Sequence, residues 1–162
     1  MSEVSEAIQL KCLAFSDRII KLNDYLLEQA ASSMSDGRSK KYDVKGRGQQ
    51  HQPSSIKHQP SRVPVHLKSV ATLANQLLRS GTSIGANNAE ATNAVSKTDY
   101  RAKSFIALKE ARESLYWIDL LHRNNYLTDE QYKSIYADCE ELVKILVTRC
   151  KKINEDLEKN AK

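Results

Sequence analysis

Arg79 to Ala91 reads RSGTSIGANNAEA, a small and polar run in which Gly81 and Gly85 stand four apart. Glycines so spaced suit one of two jobs. They free a loop to cradle phosphate on its backbone N–H groups, or they let a second helix come close. A phosphate loop needs GxxxxGK[ST] after a strand, with a lysine to reach the phosphates. Here Ala86 and Asn87 follow the second glycine, nothing upstream alternates as a strand does, and GxGxxG is absent. On a helix, Gly81, Gly85 and Ala89 fall at i, i+4 and i+8 and lay a smooth groove along one side. Close packing would offset the roughly 1 kcal/mol that each mid-helix glycine costs against alanine. The same run offers a kink at Ser80-Gly81. The expectation is a helix-packing or subunit contact made by Gly81, Gly85, Asn88 and Ala89.

Other chemistry-bearing residues lead less far. Asp119 and His122 have the i, i+3 spacing of a carboxylate–histidine metal pair. Bundle metal sites need that pair on two helices and a Glu from each of the others. The remaining histidines, His51, His58 and His66, fall in or beside a stretch with no rigid frame. His122 is better read as a capping or packing residue, and no metal or other cofactor is expected. Cys12, Cys139 and Cys150 are odd in number, widely spaced and without a CxxC pair, so neither a disulfide framework nor a zinc site is indicated. No nucleophile has a recognisable base or oxyanion motif. The chain is expected not to be an enzyme.

Charge is the remaining resource. The formal net charge is +5; residues 1–33 contribute −2, residues 34–67 contribute +5 and residues 68–162 contribute +2. The excess therefore lies in the middle, where Lys40, Lys41, Lys45 and Arg47 make a candidate phosphate-contacting arm. Basic flexible segments bind nucleic acid by releasing counterions, without sequence preference. A second cluster, Lys97, Arg101 and Lys103, stands near the start of a predicted helix, and Arg79 precedes the small-residue groove. Interspersed acids make an ordinary solvated surface the competing reading for that cluster.

These residues sit on a simple framework. Val4, Ile8, Cys12, Phe15, Ile19, Leu22 and Leu26 recur in steps of three and four, which traces one stripe of a helix within residues 1–33. Residues 34–66 hold all three prolines, three of the five glycines and a repeated HQPS. They are too poor in apolar surface to offset their ordering entropy, and read as a disordered basic insertion. Residues 67–162 carry three more amphipathic segments. The second helix has Val70, Leu73, Leu77, Ile84 and Ala91 inward, with Asn88 on the same line. The third follows a cap at Ser96 and turns Phe105, Leu108, Ala111, Leu115, Ile118 and Leu121 inward. The fourth follows a second capping box, Thr128 to Gln131. The fold class is all-α, an antiparallel four-helix bundle with a long insertion between helices 1 and 2. No apolar run approaches the roughly 18–20 residues of a membrane span. No leader is recognisable, and a reducing cytoplasm is expected.

LLRSGTSIGANNAEA and SKTDYRAKSFIALKEARESLYWIDLLHRNNYL closely resemble the bacterial four-helix bundle proteins known as 23S ribosomal RNA intervening-sequence proteins. That family includes the accessory variability determinant of diversity-generating retroelements. The resemblance covers roughly residues 8–30 and 67–150, and SGTSIGAN, AEA and ALKEARE are its most specific parts. It implies a non-enzymatic helical bundle that assembles as a homopentamer. It also implies, from the retroelement branch, RNA or DNA and a reverse transcriptase as partners. Two departures stand out: the insertion at 34–66, and Asn88 where the family tends to have an aliphatic residue. A polar amide on the inward line needs hydrogen-bond partners or a wet site such as a subunit interface.

Overall fold

The structure is a computed structural model and describes residues 3–35 and 65–160. Four helices follow one another: α1 (Glu3–Ser35), α2 (Val65–Thr92), α3 (Lys97–Arg123) and α4 (Asp129–Asn160). No strand occurs among the described residues. α1 and α2 each run two residues into the expected insertion. The rest of it, with Lys40, Lys41, Lys45 and Arg47, lies outside the described residues.

Side-chain contacts establish an up-down-up-down course. Ser5 meets Thr92, Lys103 meets Glu90, Tyr132 meets Asp119 and Lys11 meets Glu141. The core runs through all four helices, with Cys12, Ile19, Leu77, Ile84, Ile118, Leu121, Leu142 and Leu146 almost fully enclosed. None of the described helices is long and apolar enough to cross a membrane.

Both short connections are built from local hydrogen bonding. Ser96 caps α3, its hydroxyl accepting from the Asp99 amide at 3.1 Å. The Asp99 carboxylate reaches back to the Val95 amide at 3.3 Å, one residue earlier than a reciprocal capping box requires. α3 ends in a Schellman motif: Tyr126 N–H donates to the Leu121 carbonyl and Asn125 N–H to that of His122. Asn125 takes the left-handed conformation this demands, with φ 59°. Thr128 and Gln131 then exchange side-chain-to-backbone bonds at 2.9 and 3.2 Å and open α4.

Side-chain size decides which helices come closest. The inner line of α3 is Ser104, Ala107, Ala111 and Ser114, all fully buried, and α2 and α3 make the tightest pair. Ser114 Oγ lies 2.9 Å from Ser80 Oγ across that seam. Phe105 departs from the sequence expectation. It is 37% exposed, because the small residues define the inward line and place its ring outside, beneath the Arg101 guanidinium at 5.2 Å. α1 and α4 approach least closely of the adjacent pairs.

Candidate nucleic-acid interface

The antiparallel course brings the start of α3 beside the end of α4. Lys97 opens α3 and is exposed. Arg101, one turn on, donates from Nε to Asn154 Oδ1 on α4 at 2.9 Å, and its guanidinium lies over Phe105. It is thus held in place without its charge being neutralised. Lys103 differs from both. It pairs with Glu90, and that hydrogen bond raises its pKa above the ordinary lysine value. Its charge is spent inside the chain.

α4 adds cations that the sequence reading did not group with these. Lys151, Lys152 and Lys159 are exposed, and none makes an ion pair among the described residues. Arg149 donates to Asn88 Oδ1 at 2.7 Å and has no carboxylate partner among the described residues. The missed signal was topological. Antiparallel pairing sets residues near 150–159 against those near 97–103, a relation that no local spacing displays.

Arg79 stands apart. It is exposed on α2 near Glu110, whose carboxyl is raised mainly by burial and then by Glu113, with Lys109 and Arg79 opposing. Glu110 lies 13 residues along α3 from Lys97, or about 20 Å at 1.5 Å per residue. The structure does not gather Arg79 with Lys97 and Arg101.

The small-residue run faces α1 within the same chain. A Cβ added at Gly81 would meet Ile19 Cγ1 at 3.0 Å and Cγ2 at 3.2 Å; one at Gly85 would meet Cys12 Cβ at 3.5 Å and Ser16 Oγ at 3.6 Å. Gly81 therefore sits where a Cβ would force Ile19 to give way, whereas Gly85 has ordinary contact distance available. Ala89 is half-buried on the same helix. Asn88, fully buried, donates to Gln9 Oε1 on α1 and accepts from Arg149 on α4. Its amide is satisfied inside one chain, and needs no subunit interface to explain it.

Asp119 and His122 each have a partner of their own. Asp119 accepts from the Tyr132 hydroxyl at 2.8 Å, while His122 Nε2 lies 2.8 Å from Asp129 Oδ1 and its ring stacks on Tyr132 at 4.1 Å. The imidazole beside Asp129 lowers that carboxyl below its usual value. His51 and His58 lie outside the described residues, and His66 stands in the first turn of α2. Among the described residues, no three His, Cys, Asp or Glu side chains cluster as metal ligands. Burial pushes the Cys12 thiol up to about 11 and the Cys139 thiol up to about 12, which leaves both protonated near neutrality.

One apolar surface has no partner among the described residues. Leu10, Leu13, Ile20 and Leu27 are each more than a third exposed and recur at helical spacing on the side of α1 away from the core. Asp17 and Asp24 stand among them on the same line.

Residues 63–148 match the family described as 23S rRNA-intervening sequence protein. A crystal structure at 1.70 Å of a protein of unknown function from the S23 ribosomal protein family of Bacteroides thetaiotaomicron VPI-5482 is similar throughout. It is 33% identical, with a TM-score of 0.64, over 91% of this chain and 97% of that one. No curated protein matches the sequence.

Proposed function

This chain belongs to the 23S rRNA-intervening sequence protein family, and on that premise we propose that it is a non-enzymatic bundle protein that self-associates and binds nucleic acid by charge. The partner is RNA or DNA itself, or a nucleic-acid enzyme such as a reverse transcriptase. The observation that carries the proposal is the cluster at one end of the bundle. Lys97, Arg101, Lys151, Lys152 and Lys159 have no carboxylate partner among the described residues, whereas Lys11, Arg18, Lys103 and Lys144 are paired with carboxylates. Unspent cations on neighbouring helix ends supply the sequence-independent phosphate contacts that dominate nucleic-acid affinity. In a homopentamer, the assembly implied by the family resemblance, each copy would repeat that cluster and strengthen its field.

Light scattering of the full chain, with and without a short RNA at low and moderate salt, tests both parts. The expected result is a homopentamer that takes up RNA and releases it as salt rises. A monomer indifferent to RNA at low salt would remove the nucleic-acid reading and the assembly together.

The outer face of α1 supports a second reading, a protein-interaction module with no nucleic-acid role. Four exposed apolar side chains in register on one helix suit another protein surface better than a phosphate backbone. A Leu13→Glu, Ile20→Glu variant that loses assembly yet keeps RNA binding would assign the two surfaces to separate tasks. Retained assembly would sink the α1 face as the contact.

A further inference from the structure

The cationic end of the bundle has more shape than phosphate contact alone requires. Between the first turn of α3 and the last turns of α4 lies a groove of about 370 Å³, lined by Lys97, Tyr100, Ile153, Asp156, Leu157 and Lys159. Ile153 is buried and Leu157 half-buried, which makes the floor apolar. Tyr100 is half-buried in the wall, while Lys97 and Lys159 are exposed at the rims without an ion pair among the described residues. Arg101 follows Tyr100 directly and is fixed by Asn154 and Phe105. A second cleft of about 260 Å³, at the opposite end near Tyr25 and Tyr126, has no charged residue in its lining. Of these two clefts among the described residues, the first alone combines an aromatic wall with flanking cations.

That combination has a specific chemistry. Proteins that bind single strands set aromatic rings where bases can stack and cations where the backbone passes. A duplex presents its phosphates but keeps its bases stacked, so it can use the lysines and not the tyrosine. The volume is at the small end of ligand clefts, which run roughly 300–1,000 Å³, and suits one base rather than a helix.

We infer that this groove takes one unstacked base of a single-stranded nucleic acid against Tyr100, with the flanking phosphates on Lys97 and Lys159. The inference rests on the nucleic-acid reading above and narrows it to single strands.

The test is a titration of the full chain with labelled oligouridylate and with a duplex of equal length, over a range of salt. Tyr100→Leu is expected to weaken single-strand binding on the order of tenfold, the scale of one lost base–aromatic stack. It should leave duplex binding and the salt slope unchanged. Tyr100→Phe, which keeps the ring, should bind as the parent does. Lys97→Gln with Lys159→Gln should instead lower the salt slope, by about 0.7 per lysine. A Tyr100→Leu protein with the parent's melting temperature and undiminished oligouridylate binding would overturn the groove alone. So would an equal loss for strand and duplex, or oligoglutamate binding as tight as the oligonucleotide's. A parent chain that binds neither strand nor duplex would overturn the groove and the broader reading together.

Discussion

α1 meets its two neighbours in opposite ways. Against α2 it lies so close that Gly81 leaves only 3.0 Å between a hypothetical Cβ and Ile19. Against α4 the backbones stand further apart and long polar side chains span the gap. Lys11 reaches Glu141 at 2.9 Å, while Arg18 pairs with Asp138 and donates to Ser134 at 2.8 Å. Further along, Arg149 extends from α4 to Asn88, which in turn holds Gln9. The difference shows that backbone separation selects the chemistry of a seam. A gap too small for a methyl group is held by dispersion and apolar burial. Where the backbones stand further apart, side chains long enough to cross the gap pair across it, and here those are charged.

The comparison can be broken hardest at Gly81. Gly81→Val puts branched carbon where Ile19 already stands, and a loss of about 3 kcal/mol is expected in urea unfolding. An unchanged midpoint would mean that the close seam yields easily.

Asn88→Ala should cost about 2 kcal/mol, since it strands the Gln9 carbonyl and the Arg149 guanidinium without their partner. Adding Arg149→Met and Gln9→Leu to Asn88→Leu should recover much of that loss, because replacing every partner avoids the orphaned group. A triple variant no more stable than Asn88→Ala would show that the polar node is favourable in itself.

Gly85→Ala should stabilise by about 1 kcal/mol. Its added methyl finds neighbours at ordinary contact distance and the helix gains the alanine preference. A destabilised Gly85→Ala would place the tight approach at both glycines and erase the distinction drawn between them.

The smallest effect is expected at Arg18 and Asp138, whose side chains are 41% and 40% exposed. A double-mutant cycle should give a coupling under about 1 kcal/mol that shrinks with added salt. A larger, salt-insensitive coupling would make the wide seam a principal source of stability.

Much of this organisation was legible in the residues. Steps of three and four pointed to Val4, Ile8, Cys12, Phe15, Ile19, Leu22 and Leu26 as one line; Cys12, Phe15, Ile19 and Leu26 are buried and Ile8 and Leu22 half-buried, whereas Val4, in the first turn, is exposed. Thr128 with Gln131 and the asparagines after α3 marked the third connection, because capping chemistry is local. Phe105 shows where the method fails. A periodicity argument gives weight to large apolar side chains, whereas a close helix pair puts small ones inward, so Ser104 and Ala107 displaced it. Lys103 and Lys97 looked alike as members of one basic cluster; only the fold revealed that Glu90 neutralises the first. Of the candidate site, Lys97 and Arg101 were visible, and Tyr100 with Lys159 was not.

By itself, the sequence determined four amphipathic helices, their caps and the all-α class, because each depends on residues within a few positions of one another. It also marked Gly81, Gly85 and Asn88 as unusual, since each is costly on a helix unless something outside the helix offsets the cost. Tertiary structure alone decided what that was. Ile19 crowds Gly81, Gln9 and Arg149 satisfy Asn88, and the pairing of α3 with α4 brings a tyrosine and two lysines to one groove. Those partners lie far away in the chain, and only packing sets the distances between them.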